Sequence, residues 1–113
     1  MEKWPQMRIQ RSKYIQCDNV VKTKNGFMFV VQGTTDIYFV EINADQWPPS
    51  CTCEDHYWRP DLLCKHIMYV LLRMGLQEAR LKDIEFEPTI KEMNQIFNNA
   101  NKAFDYSYHN ISS

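Results

Sequence analysis

The sequence predicts a small α+β domain in which a metal ion joins an antiparallel β-hairpin or three-stranded sheet to a helix. Three observations predict this fold class. Strand-like segments rich in aromatic and β-branched residues precede a cysteine cluster. The clustered cysteines and a nearby histidine have the spacing of metal ligands. The last of these ligands open an apolar helical stretch, which a second amphipathic helix follows. The chain has 113 residues, enough for one domain with a modest core.

The chain begins with a basic segment. Pro5 suits the first position of a helix, so residues 5–13 are predicted to be helical. Residues 1–24 hold six basic and two acidic residues, a net charge of +4, whereas the remainder holds seven basic and twelve acidic residues, a net charge of −5. A basic arm on an acidic body can meet nucleic acid or an acidic partner, or it can be a solvated face. The residues that would contact nucleic acid are Arg8, Arg11, Lys13, Lys22 and Lys24.

Alternating and β-branched residues predict three strands, at residues 14–22, 27–32 and 37–43. The first two are separated by Asn25-Gly26, a strong turn signal. The aromatic residues of the strands could form a platform for base stacking, but packing in the core is the commoner role. These residues are Phe27, Phe29, Tyr38 and Phe39.

The cysteine cluster predicts one structural zinc ion. Cys51 and Cys53 lie two residues apart, so both can point to one side of a strand end. Cys64 and His66 lie at the start of the apolar helix. Three thiolates and one imidazole are the ligand set of a closed, four-coordinate zinc site. His56 is a rival fourth ligand because it also has ligand spacing from Cys53, but His66 is favoured because it shares a helix start with Cys64.

Clustered cysteines can have roles other than zinc binding. Buried small hydrophobic residues or a disulfide pair would also use clustered cysteines. Cys-x-Cys is not the redox motif Cys-x-x-Cys, and the first twenty residues lack an apolar secretory core. An intracellular location, nuclear or cytoplasmic, is therefore expected, and it suits free thiolates. No run of eighteen apolar residues exists, so no membrane span is predicted.

The ten residues between the two ligand pairs form a bulky, aromatic loop in this interpretation. Tyr57, Trp58 and Arg59 are residue types typical of binding hot spots, which suggests a partner-binding surface. Alternatively, Trp58 folds back over the metal as a hydrophobic lid. The sequence leaves both interpretations open.

The helix after the cluster is predicted over residues 62–73, from apolar residues at helical spacing. Asp61 can act as its N-cap, and Gly75 can end it as the first residue beyond the helix.

A charged connection at residues 76–87, which can hold a short helical turn, leads to a second helix. Thr89 and Glu92 have the spacing of a capping box at its start. The helix is expected to reach about Lys102, and the polar tail after Phe104 is expected to fray.

The ligand pattern resembles the SWIM zinc finger, in which a Cys-x-Cys pair, a variable spacer and a Cys-x-His pair precede a helix. The residues that carry the resemblance are Cys51-Thr52-Cys53 and Cys64-Lys65-His66. Upstream segments at residues 11–15, 26–35 and 38–40 resemble SWIM domains that precede a RING finger, and the resemblance covers about residues 8–100. No cysteine follows Cys64, so the ligase chemistry of those relatives is not expected here.

The resemblance implies a division into a basic arm at residues 1–13, a SWIM finger at 14–75 and a helical extension at 76–113. It implies a non-catalytic zinc-binding module that binds a protein partner, as an adaptor connected with ubiquitin transfer. The alternative is a DNA-binding module of the transposase, chromatin or recombination type, which the acidic body disfavours. A closed site and the lack of a phosphate loop or nucleophile–base pair predict no enzyme activity and no small-molecule substrate.

Overall fold

Four antiparallel strands form a single sheet in the order β1-β2-β3-β4. The structure is a computed structural model that describes residues 16–33, 35–82 and 86–112. The strands are β1 (Gln16–Lys22), β2 (Gly26–Gln32), β3 (Ile37–Asn43) and β4 (Gln46–Cys51). The predicted helix at residues 5–13, with Arg8, Arg11 and Lys13, lies outside the described residues.

Four helices accompany the sheet within the described residues, and the predicted α+β fold class is confirmed. They are α1 (Glu54–Trp58), α2 (Lys65–Arg73), α3 (Glu78–Leu81) and α4 (Ile90–Ser112). Within the described ranges, none of these helices has the length and apolar character needed to cross a membrane.

The core lies between one face of the sheet and the helices. Residues of the strands alternate between buried and more exposed positions, as the pleat of a half-buried sheet requires. The inward residues of the sheet are Val20, Phe27, Phe29, Val31, Val40 and Ile42. Helix α2 buries Ile67, Val70 and Leu71 against them, and α4 adds Ile96 and Ala100. Phe27 and Phe29 are therefore core residues and not a base-stacking platform.

Strand β4 lies outside the three predicted strands and contains Pro48 and Pro49. It pairs with β3 alone, through Glu41 opposite Ser50 and Val40 opposite Cys51. Proline lacks an N–H group, and an edge strand tolerates this because one side of its backbone needs no sheet partner. The fourth strand therefore carries the chain directly into the cysteine cluster.

Helix α2 begins at Cys64 and not at Asp61, so the predicted N-cap was wrong. Cys64 has the extended backbone of an N-cap, with φ −75° and ψ 170°. Asp61 lies instead in an exposed turn, in which Leu62 N–H donates to the carbonyl of Arg59 at 3.1 Å. The predicted end is confirmed: Gly75 has a φ of +97°, the left-handed conformation that glycine adopts readily beyond a helix.

Helix α4 begins as predicted and extends further than predicted. The capping box is present, with Thr89 N–H donating to Glu92 Oε1 at 2.9 Å and Glu92 N–H donating to Thr89 Oγ1 at 3.1 Å. The helix continues past Lys102 to Ser112. Ala103 and Phe104 pack against the core, and this packing supports the helix beyond Lys102.

An ion pair that the sequence did not predict joins α3 to the start of α4. Arg80 binds both carboxylate oxygens of Glu92, at 3.0 Å from Nε and 2.9 Å from Nη2. These hydrogen bonds, with one from Thr89 N–H, lower the pKa of Glu92 from 4.5 to about 2. Because the pKa is lower in the folded state, the stabilisation is complete above about pH 4.5 and is lost as the pH falls toward 2.

Replacing Glu92 is therefore expected to destabilise the domain by a constant amount near neutral pH. E92Q should lower the free energy of unfolding by about 1 kcal/mol, since the ion pair is partly exposed and the cap is weakened. The loss should be the same at pH 7 and at roughly pH 5.5, because the carboxylate is ionised at both. Urea unfolding measures it, with D105N as a control that removes an exposed charge from the same helix. A loss that shrinks over this pH range would contradict the assignment.

Candidate metal centre

Three elements of the fold deliver the four predicted ligands to one point. Cys51 is the last residue of β4, Cys53 is the N-cap of α1, and Cys64 is the N-cap of α2. His66 lies in the first turn of α2. Thr52 is exposed between two buried cysteines, and it extends the pairing with β3 because its N–H donates to the carbonyl of Phe39 at 3.2 Å.

The donor atoms of these residues form a compact, buried group. Each residue offers one donor atom, and all four atoms lie within 4.8 Å of one another. His66 Nδ1 lies 3.7 Å from Cys51 Sγ and 3.9 Å from Cys64 Sγ. A tetrahedral site with metal–sulfur bonds of about 2.3 Å and metal–nitrogen bonds of about 2.0 Å places sulfur and nitrogen about 3.5 Å apart. The group could therefore bind a metal ion with little rearrangement.

The site is closed to solvent. The exposed fraction is 7% for Cys51, 5% for Cys53, 1% for Cys64 and 2% for His66. A structural metal site uses all its coordination positions for protein ligands, whereas a catalytic site keeps one position open for water or substrate. Four buried ligands around one point match the structural type.

The thiol groups influence one another strongly. The hydrogen bond between Cys51 and Cys53 raises the pKa of Cys51 to about 12. Hydrogen bonds with Cys51 and Cys64 lower the pKa of Cys53 far below its usual range. Hydrogen bonds with Cys51 and Cys53 raise the pKa of Cys64. Buried thiolates this close repel one another, so one ionises at the expense of the other two. A divalent cation among them offsets that repulsion and favours the thiolate form of all three.

Cys53 also holds the start of helix α1. Its Sγ accepts a hydrogen bond from His56 N–H at 3.4 Å, and its carbonyl accepts one from Tyr57 N–H at 3.1 Å. None of the five residues of α1 is buried. The helix therefore depends on the cluster for its position and not on a packed face of its own.

The rival ligand His56 does not join the cluster. The group of four donor atoms comprises Cys51, Cys53, Cys64 and His66. His56 is a half-buried residue of α1, and its buried Nδ1 has no hydrogen-bond partner among the described residues. Its contact with the cluster is made by its backbone N–H, which any residue at this position would supply.

Most of the residues between the ligand pairs are solvent-exposed. Tyr57 and Trp58 are 75% and 70% exposed, and their rings meet edge to face at 5.2 Å between centroids. Trp58 is therefore not a lid over the metal, because a lid would be buried against the ligands. The segment is also partly helical, whereas a loop was predicted. Arg59 follows as an exposed C-cap.

Two of the predicted nucleic-acid contacts fall on the described residues. Lys22 ends β1, and its Nζ lies 5.2 Å from the centroid of the Phe104 ring. Lys24 is exposed in the turn between β1 and β2.

The sequence did not predict that Tyr38 lies at the site. The ring of Tyr38 lies against the imidazole of His66, with 4.3 Å between centroids and 34° between planes. The alternation of β3 places Tyr38 on the inward face with Val40 and Ile42, which indicates packing. Nothing in the sequence pairs it with His66.

Comparison of the chain with known protein families, with curated proteins and with solved structures gave no match. The resemblance to SWIM fingers therefore stays a prediction.

Proposed function

We propose that this chain is a non-catalytic SWIM-type zinc finger that binds a protein partner. The closed cluster of three cysteines and one histidine carries the proposal. Thiolates with an imidazole are a typical zinc donor set, and a closed site offers no position at which the metal could activate water. Cys51, Cys53, Cys64 and His66 would hold one zinc ion, which would supply charge and a cross-link and take no part in a reaction.

The cross-link explains why a metal is needed here. The ligands join the end of an edge strand, a five-residue helix without a buried face and the start of the main core helix. Small domains often obtain part of their stability from a structural metal. The metal would therefore fix the path of the chain between Cys53 and Cys64.

The exposed aromatic pair of α1 supports a protein partner. Tyr57 and Trp58 expose large rings beside Arg59, and tyrosine, tryptophan and arginine dominate binding hot spots. Rings that are this exposed contribute little to the core, so a partner that buried them would gain free energy of binding. The resemblance to SWIM domains adds the proposal that the partner belongs to a ubiquitin-transfer assembly.

Affinity capture with the zinc-loaded chain tests this function. The double variant Y57S/W58S should lose a defined set of partners, and I90S should retain them because it removes another exposed apolar side chain, Ile90, which is 82% exposed at the start of α4. Equal zinc content of the variants shows that the site is intact. Identical partner sets for both variants would overturn the role of α1, and a set containing ubiquitin-conjugating or ligase components would support the adaptor role.

Binding to nucleic acid is the alternative outcome. Fluorescence anisotropy against short DNA and RNA at several salt concentrations measures it. Micromolar affinity that falls steeply with salt, and that K22Q/K24Q weakens, would replace the protein-binding proposal with phosphate recognition. No binding at low salt would remove this alternative.

A further inference from the structure

The two nitrogens of His66 have different surroundings. Nδ1 faces the cluster, 3.7 Å from Cys51 Sγ and 3.9 Å from Cys64 Sγ. Nε2 is buried and has no hydrogen-bond partner among the described residues. A histidine that binds a metal almost always donates its other N–H to a carboxylate, a carbonyl or a water, and this bond fixes the orientation of the ring. No described carboxylate or carbonyl makes this bond to Nε2, and the imidazole has a ring contact instead.

The ring of Tyr38 supplies that contact. It lies 4.3 Å from the imidazole between centroids, tilted by 34°, which is the distance of a close stacked arrangement. Tyr38 comes from the inward face of β3, and His66 comes from the first turn of α2. The stacked pair thus joins the sheet to the ligand-bearing helix beside the metal cluster.

Gly33 leaves the space that the Tyr38 ring occupies. A Cβ atom at position 33 would lie 2.7 Å from Cε2 and 3.3 Å from Cδ2 of Tyr38. The backbone at Gly33 does not have a positive φ, so its conformation does not require glycine. Its N–H donates to the carbonyl of Asp36 at 2.8 Å, which fixes the turn and prevents an easy shift of the backbone. The added Cβ would also lie 3.3 Å from the carbonyl oxygen of Asp36, so its closest conflict is with the Tyr38 ring.

We propose that Tyr38 is the positioning residue for His66 and that Gly33 provides the space for it. In this arrangement His66 binds the metal through Nδ1 and carries its proton on Nε2, and ring stacking replaces the usual second hydrogen bond. The inference rests on the proposed zinc site. It adds the ligating atom and two residues outside the ligand set that determine how the imidazole is presented.

Zinc affinity of variants at position 38 tests the proposal. Y38L should bind zinc about 10-fold more weakly, the lower end of the effect of losing a partner that orients a ligand. Y38F keeps the ring and should stay within about 2-fold of wild type. F39L is the matched control, because Phe39 is the next residue of β3 and lies on its exposed face. Competition with a chromophoric chelator gives the affinities, and thermal melting of the zinc-loaded variants shows that they fold.

Spectroscopy separates positioning from a general loss of stability. Long-range ¹H–¹⁵N correlation of His66 in the zinc-loaded wild type should show Nδ1 as the bound nitrogen and Nε2 as protonated. The visible spectrum of the cobalt-loaded protein should change in Y38L and not in Y38F or F39L, because it reports the geometry of the ligands. G33A should weaken zinc binding as Y38L does. The double variant G33A/Y38L should bind zinc no more weakly than either single variant, because both changes remove the same contact.

The outcomes distinguish this inference from the function on which it rests. Wild-type protein that takes up no zinc would overturn both. Zinc-binding wild type with an unchanged affinity in Y38L, a loss in Y38F equal to that in Y38L, or ligation through Nε2 would overturn the positioning role alone.

Discussion

Removing the metal is expected to abolish the cooperative unfolding transition of this chain. The ligands lie on β4, α1 and α2, so their separation frees the edge strand, the aromatic helix and the start of the main core helix together. Zinc binding in small zinc domains contributes about 10–16 kcal/mol at neutral pH. Whole domains are stable by only about 5–15 kcal/mol, so the loss is comparable with the entire free energy of folding.

Circular dichroism during thermal melting measures this effect. A strong chelator should flatten the transition, and one equivalent of zinc should restore it. C64S should behave as the stripped wild type does, because Cys64 is the most deeply buried of the cysteine ligands. C17S is the matched control, since Cys17 is the one cysteine outside the cluster pattern. Unchanged dichroism and an unchanged melting temperature in metal-free protein would show that the core folds without the cross-link.

Replacing the two candidate histidine ligands, His66 and His56, should have very unequal effects on zinc binding. H66A removes a ligand from a closed site and should weaken zinc binding by at least about 100-fold, beyond the range seen when residues that merely orient a ligand are lost. H56A should change the affinity by less than about 3-fold, because the contact of His56 with Cys53 is made by its backbone N–H.

The affinities are compared at one pH, because zinc competes with protons for the thiolates. Cobalt loading of H66A serves as a control: sulfur-to-cobalt absorption shows that the cysteine ligands still assemble. The opposite ranking of the two variants would assign the fourth ligand position to His56.

Local chemistry explains which elements could be predicted from the sequence. The capping box of Thr89 and Glu92 and the terminal Gly75 satisfy backbone groups a few residues away, so the spacing alone is informative. The metal cluster is predictable for a similar reason. Its ligands are two pairs of chemically distinctive residues, and within each pair one residue separates the two ligands.

Contacts between distant residues explain what could not be predicted. Strand β4 exists because β3 offers it a partner, which outweighs the local signal of two prolines. The start of α2 is fixed at Cys64 in the cluster, although Asp61 is the better capping residue by type. The stacking of Tyr38 on His66 and the ion pair of Arg80 with Glu92 join separate elements, and no periodicity in the chain encodes either contact.

In the proposed function, the short helix α1 would make metal uptake and partner binding mutually dependent. Five residues with no buried face are too few to stay helical alone, so Cys53 and its metal would determine how often Tyr57 and Trp58 are correctly arranged. Binding free energies that are coupled in this way are reciprocal. If metal loading strengthens partner binding about tenfold, the partner must strengthen metal binding about tenfold as well. The abundance of the partner would then help to set how well this chain competes for scarce zinc.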